Sequence, residues 1–252
     1  MGDGNVWKEE LSIKSYETDC FGKLKLSSLF NDFQEVAGNH ASALGAGYTA
    51  LQKIGLFWVL SRAMVRIARL PSWGESVTLR TWPKGQDGLL FVRDFRMTSG
   101  SGETLLEAST GWLLLDTQHN KPHMADALPI SIPPNEGGHA IEGPLKKIRP
   151  LQGDKSEFER KVLLSDLDVN NHVNNARYVE WILDCYSADY VKSITVRNLQ
   201  INYLGEAVFG DVVHLHKTVA SVDTGQRQHY IEGTHSTTGV KVIQALILWQ
   251  EK

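Results

Sequence analysis

The 252 residues include only two cysteines, Cys20 and Cys185, and neither a Cys-x-x-Cys pair nor a Cys/His cluster occurs. That excludes a disulfide framework and fits free thiols in a reducing compartment. No apolar run approaches the roughly 20 residues needed to cross a bilayer. The opening MGDGNVWKEELSIKSYE has neither an apolar signal core nor an Arg/Ser-rich amphipathic leader. The expectation is a cytoplasmic protein with no membrane insertion. Excess positive charge is also missing: 26 Lys and Arg against 29 Asp and Glu leave a formal charge of −3. Phosphate-driven binding to nucleic acid therefore has no compositional support, and an acidic partner would have to be met by a local patch. What is present is a globular balance of 42% hydrophobic and 22% charged residues, over a length that suits one large domain or two small ones.

Prolines and glycines cluster without hydrophobic periodicity in PISIPPNEGGHAIEGPLKKIRPLQGD, which reads as a linker. The expected organisation is an N-terminal domain over 1–135, a linker over 136–156 and a C-terminal domain over 157–252. The two halves repeat one another. In the first, Leu26, Leu29, Phe30, Phe33, Val36 and Ala37 fall at helical spacing; in the second, Ala176, Val179, Ile182, Leu183 and Tyr186 do the same. Each predicted helix follows a short strand and an aspartate, Asp19 or Asp168, at an offset of 168 − 19 = 149. Downstream, Trp73-Gly74-Glu75 matches Phe209-Gly210-Asp211 at 209 − 73 = 136, and Trp112 matches Trp249 at 249 − 112 = 137. Near-constant offsets over three separate elements indicate duplication. Val77, Leu79 and Thr81 alternate with Ser76, Thr78, Arg80 and Trp82, as in a sheet with one covered face. A single helix stripe laid on such a sheet gives a two-layer α+β unit. The expected fold is a tandem double hot-dog, each half a long helix packed on an antiparallel sheet.

With the copies aligned, DVNNHVNNARY stands out. It concentrates four asparagines, an aspartate and a histidine directly before the second helix, and His172 faces Lys23 of the first copy. At offset 136, Glu206 faces Leu70. Only the second copy therefore carries an imidazole and a carboxylate at these positions. A carboxylate can activate water or attack a carbonyl carbon, and a nearby histidine can pass a proton to the leaving group. An asparagine and the amides of the following helix N-terminus can orient the imidazole or stabilise an oxyanion. Those roles suit acyl transfer to water. Other readings of the same residues are structural: Asn174 or Asn175 as helix N-cap, and His172 as an ordinary loop histidine.

The stretch SDLDVNNHVNNARYVEWILD resembles the signature of the acyl-acyl carrier protein thioesterases of plant plastids and bacteria. SIKSYETD, LFNDFQEVAGNHA, FWVLSRAMVRIARLPSWGESV, RDF, the Trp of GWLLLD, and LQINYLGEA extend the resemblance over nearly the whole chain. The resemblance implies a catalytic set of Asp168, Asn170, His172 and Glu206, no cofactor and no metal. It implies a fatty acyl chain on the phosphopantetheine arm of acyl carrier protein as substrate, and hydrolysis that ends fatty acid synthesis. The apolar pocket would lie in the first half, with Leu29, Phe33, Trp58, Leu60 and Trp112 as candidate lining. Arg62, Arg66 and Arg69, or Lys146, Lys147 and Arg149, are candidates to meet the acidic carrier. A homodimer is left open. One departure is Ala207, where plant members carry a cysteine directly after the glutamate, so Glu206 would have to activate water or attack directly.

His214 and His216, and His119 and His123, lack a third fixed ligand and make poor metal sites. The glycines of SGSGE are hairpin chemistry outside any phosphate-binding context. Three alternatives use the same second-half residues: an acyl-CoA thioesterase, a non-catalytic acyl-thioester sensor, and a dehydratase, and the combined D-x-N-x-H and Glu set favours hydrolysis over all three.

Overall fold

The computed structural model describes residues 5–133, 138–153, 155–223 and 225–252. The chain divides into two compact units, Met1–Leu145 and Lys146–Lys252. Of the stretch expected as a linker, residues 136, 137 and 154 lie outside the described residues.

The first unit contains β1 (Trp7–Ser12), α1 (Leu26–Ala43), α2 (Tyr48–Gln52), β2 (Leu56–Ile67), β3 (Ser76–Asp87), β4 (Leu90–Ser99), β5 (Thr104–Asp116) and the two-residue β6 (Pro122–His123). Its strands pair antiparallel in the order β1-β3-β4-β5-β2, with β6 added at the end of β5. The predicted apolar stripe of α1 is buried along its whole length, from Leu26 to Ala37. Phe33 meets Phe95 of β4 at 4.5 Å between ring centroids, which seats the helix on the sheet. Burying each such side chain contributes roughly 1.5–3 kcal/mol.

The other face of this sheet is covered as well. Trp82 is 2% exposed despite its outward place in the alternation. Residues 138–145 lie against that face. Trp82 Nε1 donates to Gly138 O at 2.9 Å, Ala140 N–H donates to Asp94 Oδ2 at 2.8 Å, and Arg62 donates to Leu145 O at 2.6 Å. Lys84 adds a bond to Ile141 O and an ion pair to Asp94 at 3.8 Å, and Ser109 also donates to Asp94. Leu145 then packs with Leu90, Val92, Met64 and Leu113. The unit boundary falls after Leu145 because this proline- and glycine-rich stretch, though aperiodic, supplies apolar residues and backbone groups to the first unit.

The second unit contains β7 (Lys155–Lys161), α3 (Asn175–Leu183), α4 (Ala188–Ser193), β8 (Ile194–Tyr203), β9 (Val212–Asp223), β10 (Gln226–His235) and β11 (Lys241–Glu251). Its order, β7-β9-β10-β11-β8, repeats that of the first. The helix is shorter, nine residues against the eighteen of α1. It ends at Leu183 with Asp184 as its C-cap, so Tyr186 falls outside the helix, and Ser187 caps the separate α4, its Oγ accepting from Tyr190 N–H at 3.2 Å. Beneath this end lies an aromatic cluster in which His229 is bonded at Nε2 to Tyr190 Oη and at Nδ1 to Tyr186 Oη, both at 3.0 Å. No described helix is long and apolar enough to cross a membrane.

Candidate active site

A short 3-10 turn, Leu164–Asp166, leads into the asparagine-rich loop. The loop is pinched at its neck by a bridge between Leu167 and Val173. Inside it, Asp168 N–H donates to His172 O at 2.8 Å and Asn171 N–H to Asp168 O at 3.0 Å. The Asp168 carboxylate accepts from Asn170 N–H at 2.8 Å. Asn171 turns the chain at φ 63°, a left-handed conformation that Asn tolerates through its short polar side chain. Asn174 caps α3, its Oδ1 accepting from Ala176 N–H at 2.8 Å. Two of the four asparagines therefore have local conformational duties, which accounts for much of the amide density.

The next link draws the loop onto the strand. Val173 N–H donates to Ala207 O at 2.9 Å, which sets the residue before it beside the residue before Ala207. His172 Nε2 stands 3.3 Å from Glu206 Oε2, with side chains 37% and 53% exposed. Of the four residues expected to be catalytic, the structure thus brings His172 and Glu206 into contact. Asp168 holds the loop that carries His172, and Asn170 is exposed on it. An imidazole and a carboxylate at this separation, open to solvent and followed by the N-terminus of α3, can move a proton between a water and a leaving group and steady developing negative charge.

The first unit builds the same loop from different residues. Asp19 N–H donates to Lys23 O at 2.8 Å, Gly22 N–H to Asp19 O at 3.0 Å, and Leu24 N–H to Pro71 O at 2.9 Å. Gly22, at φ 70°, stands where Asn171 does. Lys23 Nζ donates to Ser72 Oγ at 2.8 Å, and Leu70 offers no polar group. The scaffold is retained and the titratable pair is absent.

Leu29 and Phe33 are sealed under α1, at 0% and 2% exposure. Leu60 is buried opposite Trp112 on β5. Trp58 and Trp112 are half-buried and pack with Leu51, Leu56, Phe91 and Leu114, under Ala125, Leu128 and Ile132. A groove of about 750 Å³ runs along that last segment, between Gln86 and Ile132. Among the basic candidates, Arg69 is taken by Glu75 and Glu103 at 2.8–3.3 Å, and Arg62 is tied to Leu145 O. Arg66, Lys146, Lys147 and Arg149 are exposed.

Burial pushes the Cys185 thiol up to about 11, so it stays protonated and serves as packing. His214 pairs with Glu157 at 2.8 Å and His123 with Asp116 at 3.2 Å. No group of three or more His, Cys, Asp or Glu among the described residues is placed to hold a metal. Apolar periodicity missed Tyr178 and Tyr203, which pack together with ring centroids 6.1 Å apart. Their one signal is position, inside NNARYVEWILD and LQINYLGEA.

Two family models match the chain: the acyl-ACP thioesterase N-terminal domain over residues 4–127 and the acyl-ACP thioesterase C-terminal domain over residues 151–251. The chloroplastic acyl-[acyl-carrier-protein] hydrolase FATB1 of Cuphea viscosissima is 26% identical over 99% of this chain. The match spans 63% of that relative's length. Among solved structures, a putative oleoyl thioesterase from Lactobacillus plantarum superposes with a TM-score of 0.86 at 20% identity, covering 98% of this chain and 96% of that one. A 12:0-ACP thioesterase from Umbellularia californica gives 0.79 at 23% identity, covering 98% and 94%. Both likenesses establish the fold.

Proposed function

The chain belongs to the acyl-ACP thioesterase family, and from that premise we propose that it hydrolyses the thioester of a fatty acyl chain carried on acyl carrier protein. The observation that carries this reading is the 3.3 Å approach of His172 Nε2 to Glu206 Oε2, in the second unit and without counterpart in the first. In the proposed reaction Glu206 takes a proton from water, whose oxygen adds to the thioester carbon. The tetrahedral oxyanion lies toward the amides at the start of α3. On collapse the carbon–sulfur bond breaks, and His172, which receives across the 3.3 Å contact the proton that Glu206 took from water, delivers a proton to the pantetheine sulfur. The products are a fatty acid and the carrier thiol, and ending chain extension is the consequence for fatty acid synthesis. Asp168 keeps the loop in register, and Asn170 is assigned to orienting the imidazole or the oxyanion once substrate is bound. With Ala207 beside the glutamate, no thiol is at hand to attack.

The acyl chain is assigned to the first unit, with Trp58, Leu60 and Trp112 as its apolar wall. Leu29 and Phe33 act as the packing beneath. The exposed Lys146, Lys147, Arg149 and Arg66 remain the candidates for the acidic carrier, whereas Arg69 is already neutralised by two carboxylates.

The test is a ladder of acyl thioesters on carrier protein and on coenzyme A, compared at equal chain length by released fatty acid and free thiol. Preferential turnover of the carrier-bound series supports the reading. Preference for coenzyme A would replace the substrate, and stoichiometric binding with no thiol released would make the protein a sensor. In a single turnover in oxygen-18 water, label found in the Glu206 carboxylate marks direct attack followed by water opening the anhydride at the Glu206 carbon, an outcome that general-base hydrolysis cannot give.

A further inference from the structure

Tyr203 is the last residue of β8, three before Glu206, and Asn175 is the first residue of α3, three after His172. The Tyr203 hydroxyl donates to Asn175 O at 3.1 Å. Closer to the polar pair, Val173 N–H donates to Ala207 O at 2.9 Å. The asparagine-rich loop and the strand end are therefore clamped at two points, and the 3.3 Å approach of His172 to Glu206 lies beside the second. In an α-helix the carbonyl of the first residue is already taken by the N–H four residues on. The tyrosine bond is thus not needed to satisfy Asn175 O, and what it adds is a fixed spacing between helix and strand. Packing sets its direction: the Tyr203 ring lies edge-on to Tyr178 at 6.1 Å, and Tyr178, 3% exposed, meets Trp181 in the same way at 5.0 Å.

The first unit supplies the control. Leu26 opens α1 as Asn175 opens α3, at an offset of 175 − 26 = 149. Ile67 ends β2 as Tyr203 ends β8, at 203 − 67 = 136. The strand ladders agree, with Ile67 opposite Leu106 and Tyr203 opposite Ile243, at 243 − 106 = 137. Leu26 and Ile67 are 3% and 4% exposed, and neither side chain can form a hydrogen bond. Hydrocarbon therefore closes this corner where packing is the only demand. The backbone clamp is common to both units, since Leu24 N–H donates to Pro71 O at 2.9 Å. The side-chain clamp is present only where His172 and Glu206 stand.

We propose that Tyr203 is a positioning residue for the reaction assigned above, its hydroxyl holding the start of α3 against the end of β8 so that His172 and the α3 amides keep their distance from Glu206. The inference rests on that functional reading. It predicts a loss of turnover that runs through the polar pair and exceeds what lost stability accounts for.

The test is Y203F, which keeps the ring and removes the oxygen, with Y230F as a matched control. Tyr230 also lies in the second unit, and its hydroxyl is bonded to Gln244 at 2.8 Å and to Glu232. For each variant kcat, KM and the thermal midpoint are measured with one long-chain acyl-carrier protein thioester that the wild type turns over, and Y203F is repeated in an E206Q background. The expected result is a fall in kcat of about 10-fold for Y203F with KM within about two-fold, a Y230F kcat within about two-fold of wild type, and no further fall when Y203F is added to E206Q. A Y203F kcat within two-fold of wild type overturns the proposal. So does a Y230F loss as large as that of Y203F, or an undiminished Y203F loss in the E206Q background, either of which would mark a general packing effect. A wild type that releases no thiol from any acyl thioester fails the functional reading first and takes this one with it. An active wild type with an unaffected Y203F fails this one alone.

Discussion

Position by position, the two units keep the same loop, the same strand order and the same backbone bonds, and then differ at a handful of side chains. Lys23 faces His172, Leu70 faces Glu206, Leu29 faces Tyr178, and Arg93 faces His229 at 229 − 93 = 136. The backbone bond that matters most is common to both: Leu24 N–H to Pro71 O and Val173 N–H to Ala207 O, each at 2.9 Å. The comparison teaches that the hot-dog scaffold positions two points of chain against each other whatever stands there. Chemistry was added, or lost, without rebuilding the frame.

The comparison breaks most visibly if the polar pair does not matter. Glu206→Ala and His172→Ala should each lower kcat by about 100-fold or more, while Lys23→Ala and Leu70→Ala leave it within about two-fold, all by steady-state assay of released thiol. Both side chains of the pair are partly exposed, so the melting midpoint should scarcely move.

Next in size is the buried carboxylate of the first unit, which has Tyr230 as its counterpart at 230 − 94 = 136. Burial raises the Asp94 pKa against bonds from Ser109 and the Ala140 amide. Asp94→Ala should leave those donors without their acceptor and remove the ion pair of Lys84, and cost about 3 kcal/mol by chemical denaturation. The matching substitution Tyr230→Phe should cost less.

The contrast between Arg93 and His229 predicts that, at this pair of positions, only the second unit contributes a pH dependence. Burial lowers His229 to about 4, against 6.5 for a free imidazole. Its neutral form is the one folding favours, so its contribution is complete above about 6.5 and disappears as the pH falls through about 4. The magnitude is on the order of 2 kcal/mol. Denaturation at pH 7 and pH 4 should reveal it, and His229→Gln should flatten that part of the profile. Arg93, lowered by burial to about 10, keeps its charge across the same range.

The smallest effect is the cap. Asn174→Ala should cost about 1 kcal/mol, whereas Lys25→Ala at the corresponding position should cost nothing measurable, because no side chain caps α1.

Much of this was legible in the sequence for a physical reason. Duplication turns one chain into its own alignment, so Glu206 could be found by asking what faces Leu70. The stripe of α1 and the alternation of Val77, Leu79 and Thr81 followed from burial on one face, and all of these residues are buried. The pairing of His172 with Glu206 required only that loop and strand meet. Less legible were features carried by single polar atoms. Trp82 reads as outward by alternation, yet the 138–145 segment covers it. Tyr178 and Tyr203 have no apolar periodicity to announce them, because a phenol is read as packing until its oxygen is located. The end of α3 at Leu183, short of Tyr186, has no glycine or proline beside it to mark it.

The latch on the outer face of the first sheet has a practical corollary for recombination. A chimera that exchanges the first half for a relative's must cross over after Leu145. A crossover at 135 would pair Asp94, Trp82 and Lys84 of one parent with a 138–145 segment from another, whose side chains are not matched to that sheet face. Libraries built on the apparent proline-rich gap would lose soluble members for that reason, and libraries joined a few residues later would keep them.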